Sequence, residues 1–182
     1  MESFDNLETE QLRQKMIPYV DKVYLSIWPN CRIERLDNSE LDKLFGIDLK
    51  IYYQDTIFTL QEKVREHKFL TQTHLQVCPP YPDFTQEYKN AFGTRHERDG
   101  EWFNLASQLY WYGWSNENNT AILKWVLLDV VLYKQVVLQK GLDNIGKQCQ
   151  NKKHGMAQFY AIPVHLLKDA WIATHLDYLN KF

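Results

Sequence analysis

The stretch Phe45-Gly46-Ile47-Asp48-Leu49-Lys50-Ile51-Tyr52-Tyr53, followed by Ile57-Phe58-Thr59-Leu60-Gln61-Glu62-Lys63-Val64-Arg65, decides the fold. Both runs are rich in β-branched and aromatic residues, and the polar link Gln54-Asp55-Thr56 joins them, so they read as a strand pair. The first carries Asp48 near its start, and the second ends in charged residues. Strand side chains alternate faces, so Thr59, Gln61, Lys63 and Arg65 share one side and Leu60, Glu62 and Val64 the other. If the strands pair, Asp48 lies beside Gln61 and Lys63. Two readings of these charges stay open: a solvated strand end, or a site.

Outward from this pair, Leu7 to about Trp28 reads as a helix, with Leu12, Met16, Tyr19, Val23 and Ile27 at helical spacing. Pro18 is expected to kink or divide it. Cys31–Leu36 is a short strand candidate and Asp37–Lys43 a polar or helical turn. Pro79-Pro80-Tyr81-Pro82 interrupts regular structure between Leu70 and Gly100, and Gln86–Phe92 is expected to be a short helix. Leu109–Tyr112 and Ala121–Leu128 read as strands around the turn Asn116-Glu117-Asn118-Asn119. Asp129–Gln139 is then expected to be helical, Lys147–His154 a polar loop, Gln158–Val164 a strand and His165–Leu179 a helix. The expected whole is an α/β sandwich around a central mixed sheet flanked by helices, one domain over residues 1–182.

Composition narrows the function classes. A chain of 182 residues can bury a real core, and its 6 Trp, 11 Tyr and 9 Phe argue against disorder. No apolar run reaches the ~20 residues of a membrane helix. The acidic start Met1-Glu2-Ser3-Phe4-Asp5 lacks a secretion-like pattern. Cys31, Cys78 and Cys149 form no CxxC or zinc spacing. These features together lead to the expectation of a soluble, intracellular, cytoplasmic protein. The net charge of -2 advertises no overall basic field. HExxH, GxSxG and Gly-rich phosphate loops are absent from the sequence.

An acidic oxygen, an amide oxygen and a lysine converging on one point suit Mg²⁺, which takes one or two carboxylates and keeps several waters. Here the sequence resembles the PD-(D/E)XK nuclease superfamily, whose pattern is an aspartate at a strand start and then acid-x-Lys on the next strand. Asp48 and Gln61-Glu62-Lys63 carry the likeness, as a QxK variant with Gln61 where Asp or Glu is usual, and Gly46-Ile47 is typical of the look. The resemblance spans mainly residues 34–66. It implies a restriction-endonuclease-like fold and metal-dependent hydrolysis of phosphodiester bonds, in DNA above all. Asp48 and Gln61 would hold Mg²⁺ or Mn²⁺ with the Glu62 backbone carbonyl, and the Glu62 carboxylate is the alternative ligand. Lys63 would be the catalytic lysine and Arg65 would meet a phosphate. Gln108 and Tyr112 match QxxxY, a motif that accompanies some of these nucleases. Such enzymes often act as homodimers when they cut both strands.

Glu34 and Glu10 are candidates for a further acid or for solvated charges, and Asp42 for a cap. Arg95–Trp102 reads as a substrate-meeting loop or a solvated connector. Lys147, Lys152, Lys153 and His154 form a basic patch, and His67 lies near the proposed site. Replacement of a carboxylate by Gln61 motivates the rival reading, a non-catalytic nucleic-acid-binding or protein-interaction module on the same fold.

Overall fold

Met16, Val20 and Tyr24 are fully buried at four-residue spacing, and this row sets the first helix against the sheet. The structure, a computed structural model, describes residues 4–37, 39–71, 82–151 and 157–176. Helix α1 (Phe4–Ile27) runs unbroken through Pro18. Pro18 lies on the exposed side, where water can satisfy the carbonyl that its missing N–H leaves unpaired. Next come β1 (Arg32–Arg35), α2 (Glu40–Phe45), β2 (Leu49–Tyr53), β3 (Thr56–Arg65) and the single turn α3 (Lys68–Thr71). They are followed by β4 (Asp83–Asn90), β5 (Arg98–Asp99), α4 (Glu101–Asn104), β6 (Leu109–Ser115) and β7 (Ile122–Asp129). Helices α5 (Val130–Lys140) and α6 (Leu142–Ile145), then β8 (Lys147–Gln150), β9 (Gln158–Pro163), a 3-10 helix (Val164–Ala170) and β10 (Trp171–Thr174) complete the order.

The fold is mixed α/β, and its central sheet is mixed as expected. Six strands lie in the order β1-β2-β3-β6-β7-β10. β3 is antiparallel to β2, with Leu49 opposite Leu60, and parallel to β6, with Lys63 beside Tyr112. The expected hairpins β2–β3 and β6–β7 are both present.

A second sheet, in the order β5-β4-β9-β8, departs from the expected pattern. Residues 86–92 do not form a helix. Most of them belong to β4, whose pairing with β9 from Asp83–Pro163 onward wins over local propensity. Lys147–Gln150 pairs with β9 instead of looping out, and residues 152–156 lie outside the described residues. The expected helix from His165 is a 3-10 turn that ends at Ala170. The chain then extends along β7 as β10, and residues 177–182 fall outside the described residues.

Alternation along the wholly buried β6 divides the core. Tyr110, Tyr112 and Trp114 join Phe84, Tyr133 and Ile162 between the six-stranded sheet, the second sheet and α5. Leu109 and Trp111 join Leu49, Ile51, Leu60 and the Met16–Tyr24 row beneath α1. Among the described residues, no helix is long and apolar enough to cross a membrane.

Gly113 is where the Trp111 ring folds over the strand, and a Cβ there would overlap that ring. Gly to Ala in an open strand gains about 0.5–1 kcal/mol. Overpacking a rigid core costs roughly 1–3 kcal/mol and should dominate here. Gly113→Ala is expected to lower the urea unfolding midpoint without changing the slope of the transition. An unchanged or higher midpoint would show that the indole relaxes freely.

Candidate functional site

Ser39 caps α2 by accepting the Asp42 N–H, and Gly46 closes it in the left-handed region at φ 55. The left-handed backbone favours glycine here, and a Cβ would in addition displace Gln61 Oε1, which lies 2.8 Å from its position. The chain then enters β2. Asp48 N donates to the Leu60 carbonyl at 2.8 Å, and Asp48 Oδ2 accepts the Glu62 N–H at 2.6 Å. The carboxylate thus takes the place of a backbone acceptor where the ladder ends. A strand residue's N–H and C=O point to the same edge, so the Glu62 carbonyl also faces this edge.

Alternation along β3 separates its charges. Glu62 turns toward α1, where its carboxylate accepts the Tyr24 hydroxyl at 2.8 Å and Arg35 Nη1 at 3.1 and 3.3 Å. Arg35 in turn pairs with Asp21 at 2.6 Å. The Glu62 side chain is therefore held in an internal ion network, and only its backbone carbonyl stays available on the cleft edge. Burial opposes the Arg35 charge, but Glu62 and Asp21 outweigh it and raise the guanidinium pKa.

Lys63 turns the other way. Its Nζ lies 3.4 Å from the Thr85 carbonyl and 3.5 Å from Glu101 Oε2. Glu101 accepts the Tyr110 hydroxyl at 2.7 Å and Gln86 Nε2 at 3.1 Å, and Tyr133 orients Gln86 at 2.9 Å. Burial pulls the Lys63 pKa down, but Glu101, then Tyr112 and Glu87, more than compensate and raise it. The residue is an ammonium.

Asp48, Gln61 and Lys63 line one cleft of ≈ 840 Å³, together with Asp42, Arg13 and Glu101. Asp48 is 8% exposed, and burial pushes its carboxyl up to about 8. The Glu62 N–H opposes that rise, while the charges of Glu62 and Asp42 reinforce it. Gln61 Oε1 is buried and has no hydrogen-bond partner among the described residues. An amide oxygen without a partner beside a buried carboxylate suits a hard divalent cation, with waters completing its shell. Asp48, Gln61 and the Glu62 carbonyl are the residues that fit Mg²⁺ or Mn²⁺. Among the described residues, no three His, Cys, Asp or Glu side chains cluster as a ready-made metal site.

The other candidates scatter. Arg65 stacks on Phe69 at 4.0 Å and does not line the cleft. Gln108 is exposed, and its Oε1 accepts the Thr59 N–H at 3.0 Å, four residues along β3 from Lys63. Tyr112 is buried beside Lys63, with its hydroxyl 2.8 Å from Thr85 Oγ1. Glu34 accepts from Tyr52 and Arg32 on the outer edge, and Glu10 pairs with Arg13. His67 faces Glu117 at 3.7 Å. Lys147 begins β8, while Lys152, Lys153 and His154 lie outside the described residues. Arg98, Asp99, Gly100 and Glu101, from the stretch read as a substrate-meeting loop or a connector, line the cleft, and so does Arg13, which the sequence reading missed. For Glu101 the available signal was its place in the charged run before Trp102. For Arg13 there was no signal beyond its charge.

Asp48 carries a pH signature. Its folded pKa exceeds the unfolded value of about 3.9, so the folded state binds the proton more tightly. The burial penalty is absent below about pH 4, grows toward about 8 and is complete above that. Metal-free protein should therefore lose stability across this window. Asp48→Asn keeps an acceptor for the Glu62 N–H and should be the more stable form at pH 8.5 by at least ~1 kcal/mol, roughly 2–4 °C in Tm. The gap should close near pH 4. Equal melting temperatures across the range would refute a destabilising carboxylate.

Comparison with family models, curated proteins and solved structures finds no match to this chain, so the reading of the cleft rests on its own residues.

Proposed function

We propose that the protein is a metal-dependent nuclease of the PD-(D/E)XK type, in its QxK variant, on a restriction-endonuclease-like fold, with DNA as the substrate. One observation carries the reading: the β2–β3 register brings Asp48, the unpartnered Gln61 Oε1 and the Lys63 strand position to one cleft. More acidic than basic side chains line that cleft, which favours a cation as the first ligand. Asp48, Gln61 and the Glu62 carbonyl would hold Mg²⁺ or Mn²⁺. The chemistry a bound divalent ion supplies is an acidified water and positive charge against phosphoryl oxygens. Lys63, an ammonium steadied by Glu101 and the Thr85 carbonyl, supplies fixed positive charge where the attacked phosphodiester becomes more negative. Being protonated, it acts as a charge stabiliser and not as a base. Tyr112 and Glu101 act behind it, by fixing Thr85 and the ammonium.

A non-catalytic nucleic-acid-binding or protein-interaction module on the same fold is the second reading. Gln61 favours it, because an amide contributes no charge to the cation site.

Mixed single- and double-stranded DNA should be cut in Mg²⁺ or Mn²⁺, and Lys63→Ala should reduce cutting by about 10²-fold or more. Gln61→Glu should raise both cation affinity and rate. Wild-type protein that binds DNA but never cuts it, with Gln61→Glu equally inert, would leave the binding module standing.

Mg²⁺ alone should raise the melting temperature of the wild type and have no such effect on Asp48→Asn, since a ligand of the folded state stabilises it. An equal response of both proteins would remove Asp48 from the cation site.

A further inference from the structure

Arg13, on α1, lines the cleft, and two of its three guanidinium nitrogens are already used. Nε donates to Glu10 Oε2 at 3.2 Å, and Nη2 pairs with Asp37. Nη1 is buried and has no partner among the described residues. The side chain is only 17% exposed. A buried charged donor without an acceptor is costly, and folded proteins leave few of them.

Gln61 Oε1 is the matching anomaly, a buried acceptor without a donor in the same cleft. Asp48 belongs to both, because its charge acts on Arg13 and the charge of Arg13 acts on it. An anionic oxygen satisfies the free donor and a divalent cation satisfies the free acceptor. A phosphate accompanied by its cation brings both. Arginine suits this task where lysine does not, because two arms of the planar fork can be anchored while the third is presented.

We propose that Arg13 is the phosphate-binding residue of this cleft, presenting Nη1 to a non-bridging oxygen of the phosphodiester beside Asp48 and Gln61. The assignment rests on the nuclease reading and adds to it a residue from α1, outside the strand pair. It also replaces Arg65, which is stacked on Phe69.

The test is fluorescence anisotropy of short single- and double-stranded oligonucleotides in Ca²⁺, titrated with salt, for wild type, Arg13→Gln, Arg13→Lys and Arg32→Gln. Loss of one phosphate contact lowers the slope of log affinity against log salt by about 0.7 for single strands and 0.9 for duplex. Arg13→Gln should show that loss with binding weakened about tenfold. Arg32→Gln removes an exposed arginine outside the cleft and should leave the slope unchanged. Arg13→Lys retains charge without the anchored fork, should also bind more weakly, and covers the case in which Arg13→Gln does not fold. A wild-type slope in Arg13→Gln, or an equal loss in Arg32→Gln, overturns the assignment and leaves the nuclease reading intact. Wild type that ignores every oligonucleotide, yet binds inorganic phosphate with Mg²⁺ in an Arg13-dependent way, supports the phosphate site and overturns the nuclease reading. Binding of neither overturns both.

Discussion

Strand β3 packs against a layer on each face along its second half, and that constraint governs the rest. With α1 on one side and the second sheet on the other, Glu62 and Lys63 must find partners inside the protein. The period of two sends Glu62 to α1 and Lys63 to the second sheet. Glu62 therefore recruits Tyr24 and Arg35, and Arg35 recruits Asp21, which ties α1, β1 and β3 into one unit. Lys63 recruits Glu101 and, through it, Tyr110, Gln86 and Tyr133. A slip of one residue in the β2–β3 register would bury the wrong set of side chains. The register Leu49–Leu60 is thus enforced from both layers, and it leaves Asp48 next to Gln61.

Two kinds of buried polarity result, and they differ in a way that bears on function. The Glu62–Arg35–Asp21–Tyr24 network is closed: opposite charges meet within hydrogen-bonding distance, and nothing in it calls for a ligand. Breaking such a network by removing one partner would be strongly destabilising, although its net worth against an apolar replacement is small. The Asp48–Gln61–Arg13 group is open. It holds a carboxylate pushed far above its ordinary range and, among the described residues, an acceptor without a donor and a donor without an acceptor. Folds keep such local conflicts mainly where a site requires them. The contrast lies within 8% exposure on both sides, since Asp48 and Glu62 are similarly buried. Burial alone therefore does not distinguish them, and the state of their partners does.

What could be read from the chain follows the same physics. The β2–β3 pair was legible because its partners are a few residues apart and its alternation is strict, so Asp48, Gln61 and Lys63 could be placed together. The second sheet was not legible, because Asp83 pairs with Pro163 and Lys147 with Ala161, partners whose proximity no local pattern encodes. Trp171–Thr174 similarly becomes a strand only because β7 is there to receive it. The Gln108–Tyr112 pair shows a different limit. On a helix four residues make one turn, whereas on a strand they span roughly 13 Å. Gln108 sits just before β6 and bonds to Thr59, whereas Tyr112 lies within β6 beside Lys63. Arg13 was unreadable because a charged residue on an exposed stretch of helix looks the same whether or not a cleft forms beside it.

The glutamine at position 61 has an electrostatic logic in this setting. Asp48 already carries a burial penalty that the charges of Glu62 and Asp42 deepen, and Arg13 opposes it only in part. A second carboxylate on the neighbouring strand would add a like charge within a few ångströms, where each such neighbour raises the cost of ionising the other. An amide keeps the oxygen and drops the charge. The free protein is then less strained, and under the proposed function a cation would be held less tightly. The free donor on Arg13 completes that balance, because a phosphate drawn to it adds negative charge beside Asp48 and strengthens the attraction for the cation. Cation and phosphate would then favour each other's binding, a coupling that is reciprocal by thermodynamic necessity. Under the proposed function the site would bind each ligand more tightly in the presence of the other than alone.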